Sequence, residues 1–184
     1  MSSYFFRHYR PLATTAGLLA LLLSHGCSDS SDAPFGEDAI RINNLQYLGT
    51  HNSYHIEPRP ELLEALLAFI PDVAPTLEYT HLPLRQQFSD QGIRQIELDV
   101  FYDPEGGLYA ARQEKTLFGE SAESGIPELD NPGLKTLHVQ EIDYETTCYT
   151  FVSCLQELRE WSDANPRHLP VMVLVEAKDE AIPD

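Results

Sequence analysis

The stretch Gly92–Tyr102 reads Gly-Ile-Arg-Gln-Ile-Glu-Leu-Asp-Val-Phe-Tyr and alternates polar with apolar side chains. Such alternation is typical of a β-strand, whose successive side chains point to opposite faces. Glu97 and Asp99 therefore share one face, and Leu98 lies on the other. Two like charges held so close repel each other unless a cation lies between them, so we expect a hard metal ion here. A half-buried strand with solvated acids gives the same pattern and is the alternative.

The composition limits the class of protein. The 184 residues are 42% hydrophobic, which is enough apolar material for one packed domain. The 29 Asp and Glu residues outnumber the 12 Lys and Arg residues, and the formal net charge is -17. Nucleic acid is not expected as a partner, because phosphate contacts need clustered basic side chains. A divalent cation suits this charge better, although most of the acids are interpreted as ordinary solvated surface groups.

Residues 1–26 have the features of an export signal. Arg7 and Arg10 precede an apolar run, Leu12–Leu23, which has the length of a secretory signal core and is too short to span a bilayer comfortably. The expected location is therefore outside the cytoplasm, as a bacterial lipoprotein or as a secreted or periplasmic protein.

Cys27 follows this segment in a context that resembles a bacterial lipobox, with Ser24 where that pattern has leucine. Lipidation of Cys27 and ordinary cleavage with release both remain open. Residues 27–38 have the polar composition of a tether, and 39–184 are predicted to form the folded domain.

The two remaining cysteines, Cys148 and Cys154, are six positions apart. In an exported protein we expect a disulfide between them, tying the loop before a helix to the first turns of that helix. Metal binding by the pair is not expected, because neither a second cysteine pair nor histidines at zinc spacing accompany it.

The hydrophobic pattern predicts helices and strands that alternate along the chain. Predicted helices are Pro60–Ile70, Leu82–Gln91 and Thr150–Asn165, and predicted strands besides Gly92–Tyr102 are Ile40–Leu48, Thr136–Val139 and Pro170–Ala177. Residues 112–133 read as a long irregular loop. The run Pro170–Ala177 is apolar throughout, as expected of a strand buried on both faces. Alternating strands and helices indicate an α/β fold built of parallel βα units.

Polar residues follow or end four of these predicted strands. They are His51 and Asn52, Glu97 and Asp99, His138, and Glu176. The carboxyl ends of parallel strands are where barrel enzymes keep their active groups, so these side chains are predicted to converge. His55, His81 and His168 are interpreted as surface or loop residues.

Four pieces of sequence, spanning residues 46–177, carry a family resemblance. They are Leu48–Tyr54 (Leu-Gly-Thr-His-Asn-Ser-Tyr), Gln91–Val100, His138 after a strand, and Val173–Glu176 (Val-Leu-Val-Glu). In this order and spacing they resemble the calcium-dependent phosphoinositide-specific phospholipases C, within the superfamily of barrel phosphodiesterases.

The resemblance implies roles for individual residues. Asn52, Glu97, Asp99 and Glu176 correspond to Ca²⁺ ligands, His51 to the residue that steadies the phosphoryl oxygens, and His138 to the general acid. Their all-oxygen donor set also favours Ca²⁺ over Zn²⁺ on chemical grounds. Arg94 and Lys178 are candidate substrate contacts. The hypothesis is attack of the inositol 2-hydroxyl on phosphorus, with Glu97 or Glu176 as base.

The implied fold is a TIM-barrel-type phosphodiesterase. A closed barrel typically needs about 250 residues, so we expect here only its N-terminal half, about four βα units, in a C-terminally incomplete domain. The implied partner is a phospholipid substrate at a membrane surface, with no obligate protein partner. Two other functions stay open: a glycerophosphodiester phosphodiesterase, a family that usually has His-Arg-Gly at residues 51–53, and an exported Ca²⁺-binding module without turnover.

Overall fold

The structure, a computed structural model, describes residues 41–179. The chain divides into two compact units, Met1–Leu45 and Gln46–Asp184. Of the first unit only residues 41–45 are described, and Ile42–Asn44 forms a short 3-10 helix there. The predicted export signal, the tether and Cys27 lie outside the described residues, so these remain predictions.

The described residues contain three α-helices: α1 (Pro60–Phe69), α2 (Leu84–Asp90) and α3 (Phe151–Ala164). Each helix begins and ends within two residues of its predicted bounds, which confirms the helix predictions. Thr150 begins α3 as its N-cap, because its side-chain oxygen accepts the N–H of Ser153. None of these helices is both long and apolar enough to cross a membrane.

Three strands form one sheet in residues 41–179: β1 (Gln95–Asp103), β2 (Gly133–Lys135) and β3 (Met172–Lys178), in the order β2-β1-β3. β3 runs parallel to β1, and this register places Glu176 opposite Asp99. β2 runs antiparallel to the end of β1. The predicted mixed α/β class is confirmed, whereas these three strands do not close a barrel.

The apolar face of β1 anchors the sheet to two helices. Ile96 and Leu98 are fully buried in a cluster with Phe88 of α2 and Trp161 of α3. The rings of Phe88 and Trp161 lie 5.0 Å apart between centroids. Because β1 side chains alternate, this packing turns Glu97 and Asp99 to the opposite face.

The predicted first strand, Ile40–Leu48, is wrong in its described part, residues 41–48, which contain no strand. The chain instead meets β1 through a single parallel bridge between Gly49 and Gln95. Leu48 contributes its backbone oxygen, which accepts the N–H groups of Arg94 and Gln95. In place of the first predicted strand, residues 48–50 make a short set of backbone hydrogen bonds with Arg94 and Gln95.

The predicted strand Thr136–Val139 is also wrong, because the extended segment β2 ends at Lys135 and is antiparallel. The ammonium of Lys135 lies 3.1 Å from the Asp103 carboxylate, and both side chains are fully buried. This pair fixes the register of β2 on β1. The Thr136 N–H then bonds to the Tyr149 oxygen, away from the sheet, so His138 lies in a loop.

The expectation that Pro170–Ala177 is buried on both faces is wrong as well. Leu174 and Val175 are 51% and 44% exposed. β3 pairs with β1 along one side and is an edge strand of the described sheet. An apolar run indicates a strand that favours burial, but it does not specify which elements cover it.

Cys148 and Cys154 form a disulfide whose Cα atoms are 5.3 Å apart. Both residues are buried in the cluster around Trp161. The bond joins the loop before α3 to the first turn of that helix, as the sequence predicts.

Replacing both cysteines with alanine is expected to lower the free energy of unfolding by about 2 kcal/mol, because a short cross-linked loop restricts the unfolded chain. Urea denaturation of the oxidised protein and the double variant measures the difference. Reductant should shift the wild type toward the variant and leave the variant unchanged. A wild type indifferent to reductant would contradict a stabilising bond.

Candidate functional site

Three carboxylates meet on one face of the β1–β3 pair. Glu97 and Asp99 lie two apart on β1, and Glu176 is the register partner of Asp99 on β3. One oxygen from each carboxylate lies within 4.8 Å of the others. The Asp99 side chain is buried, whereas that of Glu176 is 51% exposed. The group therefore reaches solvent through Glu176.

The Asp99 carboxylate is buried, and neither of its oxygens accepts a well-formed hydrogen bond. Burial raises the pKa of Asp99 above its ordinary value, against the opposing effect of the Lys178 charge. A buried carboxylate whose charge is only partly compensated is unfavourable. A bound cation would remove that cost, so the residues present fit a metal ion.

Lys178 places its ammonium among these carboxylates. Its Nζ lies 3.1 Å from Glu176 Oε1 and 3.3 Å from Asp99 Oδ2. Burial would lower the pKa of Lys178, but pairing with Glu176 and Asp99 raises it above its ordinary value. The charge of the three acids is thus partly neutralised by the chain itself.

The loop after Gly49 places Asn52 and His51 beside β1. Ser53 fixes this loop, since its N–H donates to the backbone oxygen of Glu97 and its hydroxyl accepts the backbone N–H of Glu97. Asn52 is buried and has a left-handed backbone with φ of 45°, a conformation that asparagine tolerates better than most residues. His51 is exposed, and its Nε2 lies 3.8 Å from Glu97 Oε2.

A second titratable group consists of His55, His138 and Asp143. Asp143 is buried, and its carboxylate lies 2.7 Å from His55 Nε2 and 2.6 Å from His138 Nδ1. Burial alone would raise the pKa of Asp143, but the hydrogen bonds from His138 and His55 hold it below its ordinary value. His138 remains partly exposed, with 23% of its side chain accessible. Its other ring nitrogen, Nε2, is therefore the one available to a ligand.

His55 is fully buried and uses both ring nitrogens. Nε2 faces Asp143, and Nδ1 lies 2.9 Å from the backbone oxygen of Tyr79. The ring is therefore held from both sides, and it fixes the position of the Asp143 carboxylate.

Two tyrosines connect the two groups. The Tyr79 ring stacks on His55 at 4.1 Å between centroids, and its hydroxyl lies 3.3 Å from Asn52 Nδ2. The Tyr54 hydroxyl lies 3.5 Å from Asn52 Oδ1. Burial, and then the charge of Asp99, raise the pKa of Tyr54 above its ordinary value. The carboxylates and the imidazoles thus border one polar region.

The structure does not bring Arg94 into this region. Its guanidinium lies over Trp161, 4.7 Å from the ring centroid, and donates to the backbone oxygens of Phe88 and Ile93. Arg94 therefore belongs to the apolar side of β1. We do not propose it as a substrate contact.

Sequence reasoning missed Asp143 and Tyr79. His55 lies outside the helices and strands, as the sequence predicts, but it is fully buried rather than at the surface. His81 and His168 do lie in loops. Asp143 reaches His138 through a turn closed by paired hydrogen bonds between Val139 and Asp143. A spacing of five residues within a loop carries no periodic signal, so the sequence gives little indication of this contact.

A known family matches most of this chain. The family described as "Phosphoinositide phospholipase C, Ca2+-dependent" matches residues 40–184. The match covers well over half of the chain, and the chain therefore belongs to the Ca²⁺-dependent phosphoinositide phospholipase C family. No curated protein and no solved structure matches this chain.

Proposed function

We propose that the protein is a Ca²⁺-dependent phosphodiesterase that cleaves phosphatidylinositol-type phospholipids to diacylglycerol and a cyclic inositol phosphate. The observation that carries this proposal is the buried, poorly satisfied Asp99 within a three-carboxylate group, together with an accessible imidazole held by Asp143. Membership of the family supports calcium dependence and the phosphoinositide substrate class.

In this proposal Glu97, Asp99 and Glu176, with the amide oxygen of Asn52, hold the metal. All are oxygen donors, which suits Ca²⁺. When bound, Ca²⁺ supplies positive charge that stabilises the phosphate oxygens and acidifies a neighbouring hydroxyl. His51, exposed beside Glu97, is positioned to donate to a phosphoryl oxygen.

His138 acts as the general acid. The pKa of Asp143 lies below its ordinary value, so its carboxylate is ionised and the facing Nδ1 of His138 carries a proton. Nε2 then gives a second proton to the departing diacylglycerol oxygen. His55 is fully buried and cannot touch substrate, so it serves as a positioning residue for Asp143.

The base is Glu97, with Glu176 as the alternative. The inositol 2-hydroxyl loses its proton to this carboxylate as its oxygen forms a bond to phosphorus. The bond from phosphorus to the diacylglycerol oxygen breaks. The product is a cyclic phosphodiester of inositol, and the proton from His138 completes diacylglycerol.

The fold and location follow the same proposal. Gly49 and β3 pair in parallel with Gln95 on opposite edges of β1, which is how neighbouring strands of a βα barrel are arranged. We therefore retain a TIM-barrel-type phosphodiesterase as the proposed architecture. Export to a membrane surface, with phospholipid as the partner, is proposed from residues 1–27.

The test is calcium-dependent release of water-soluble inositol phosphate from phosphatidylinositol vesicles. We expect release with Ca²⁺, none in chelator, and a reduction of about 100-fold in Glu97→Gln, because this variant loses a base and a metal ligand. Glu64→Gln is the matched control, since Glu64 is exposed on α1, and it should behave as the wild type.

The remaining outcomes identify the alternatives. Undiminished release in chelator would contradict the proposal. Calcium that raises the melting temperature without any release would favour the binding module. Cleavage of glycerophosphoinositol but not of phosphatidylinositol would favour a glycerophosphodiester phosphodiesterase.

A further inference from the structure

Arg112 is a buried cation whose donor groups are unused. Its side chain is 4% exposed, and none of its three guanidinium nitrogens makes a hydrogen bond. The guanidinium lies over the Tyr144 ring, with Cζ 3.4 Å from the centroid. The Tyr144 hydroxyl in turn donates to Glu114. Tyr144 therefore supports one face of the guanidinium, while the N–H groups at its edge are unpaired.

The nearby acid does not satisfy these groups. Glu145 Oε1 lies 3.8 Å from Arg112 Nη1, which is longer than a hydrogen bond. The other Glu145 oxygen accepts the Tyr149 hydroxyl at 2.8 Å, which holds the carboxylate where it is. Leaving charged donors buried and unpaired is unfavourable. An anion that accepts from Arg112 would remove this cost.

Two further basic side chains line the same cavity of about 210 Å³, Arg59 and Lys115. Arg59 donates from Nη1 to Glu120, but its Nε and Nη2 are buried and make no hydrogen bond. Three of the 12 basic residues in a chain of net charge -17 thus border one cavity. They outnumber its two lining carboxylates, Glu120 and Glu145.

We propose that Arg59, Arg112 and Lys115 form a binding site for a phosphate group, distinct from the carboxylates that would hold calcium. A guanidinium presents paired N–H donors that match two phosphate oxygens, and it is the side chain best suited to this contact. Lys115 adds a flexible point charge. The ligand is a terminal phosphate group, supplied either by a phosphomonoester on a lipid headgroup or by free phosphate.

Calorimetry with sodium phosphate tests the site, in chelator and at constant ionic strength, with chloride as the reference anion. The wild type should bind phosphate saturably. Arg112→Gln should lower the affinity about tenfold or more, because it removes charge-assisted hydrogen bonds. The control, Arg85→Gln, should not change the affinity, since Arg85 lies at the surface paired with Glu160.

Lys115→Gln is a second variant that keeps the test decisive if Arg112→Gln does not fold. Lys115 is partly exposed, so its replacement should preserve the fold and weaken phosphate binding several-fold. No phosphate binding by the wild type, or binding that neither variant weakens, would overturn the proposal. Because chelator is present throughout, these outcomes are independent of the calcium-dependent reaction.

Vesicles separate the two ligand sources. Phosphatidylcholine vesicles carrying phosphatidylinositol monophosphate are compared with vesicles carrying phosphatidylinositol, again in chelator. Preferential sedimentation of the wild type with the monophosphate, lost in Arg112→Gln, supports a headgroup site. Equal sedimentation together with saturable binding of sodium phosphate supports a free-phosphate site.

Discussion

Replacing Asp99 with asparagine is expected to abolish calcium binding while making the metal-free protein more stable. Burial raises the pKa of Asp99, so its charge destabilises the folded state unless a metal is present. Loss of an outer partner of a metal ligand already costs about 10–100-fold in affinity, and loss of the ligand itself should exceed that. Lys178 keeps Glu176 as a partner in the variant.

The difference in stability between Asp99→Asn and the wild type is expected to depend on pH. An acid whose folded-state pKa lies above its unfolded value, about 3.9, costs no stability below that value. Its cost grows as pH rises from that value and levels off above the raised pKa. Asp99→Asn removes the cost. Its advantage in melting temperature, measured in chelator, should therefore be present at neutral pH and vanish in acid.

Asp72→Asn is the matched control for Asp99→Asn. Asp72 is exposed in the turn after α1, so neither calcium affinity nor melting temperature should change. Calcium titration by calorimetry and thermal unfolding in chelator supply the two readouts. Unchanged calcium affinity in Asp99→Asn would remove Asp99 from the proposed ligands, and a lower melting temperature at neutral pH would contradict its unfavourable burial.

The second large effect is expected in His138→Ala. Turnover of phosphatidylinositol should fall by about 10²–10⁴-fold, the usual contribution of a general acid. A diacylglycerol alkoxide is a poor leaving group and needs the proton. A nitrophenyl ester of inositol phosphate has a good leaving group and should lose much less. The ratio of the two rates, in wild type and variant, measures the effect.

Calcium binding separates this role from a structural one. His138 contacts Asp143 and is not part of the group formed by Glu97, Asp99 and Glu176. The variant should therefore keep the calcium affinity of the wild type. An equal loss of turnover on both substrates would show that His138 is not the acid. Loss of calcium affinity would show instead that the variant disturbs the metal site.

The part of the site that could be predicted is the part that follows from the local periodicity of the sequence. Glu97 and Asp99 face one way because a strand repeats every two residues, and the apolar positions beside them pack the core. The same rule separates Arg94 from them, since an even-numbered residue in this strand shares the face of Ile96 and Leu98. Arg94 is a substrate candidate only because a phosphodiester beside three carboxylates requires positive charge, and charge alone does not specify a face of the strand.

The other features depend on contacts between distant segments. Asp143 meets His138 through a local turn, but its contact with His55 joins segments that are far apart in the chain. His55 is buried by Tyr79 and Asp143, which lie 24 and 88 positions away. Lys178 meets Asp99 through the register of two parallel strands. No pattern within a single element encodes these pairings.

The ammonium among the carboxylates has a consequence for how the metal enters. In the proposed calcium site, an incoming ion would exchange with Lys178, and the free energy of two ion pairs would be subtracted from that of its coordination. The proposed site is therefore expected to bind calcium more weakly than the same carboxylates would without Lys178, while the ammonium partly compensates the acids when no ion is bound.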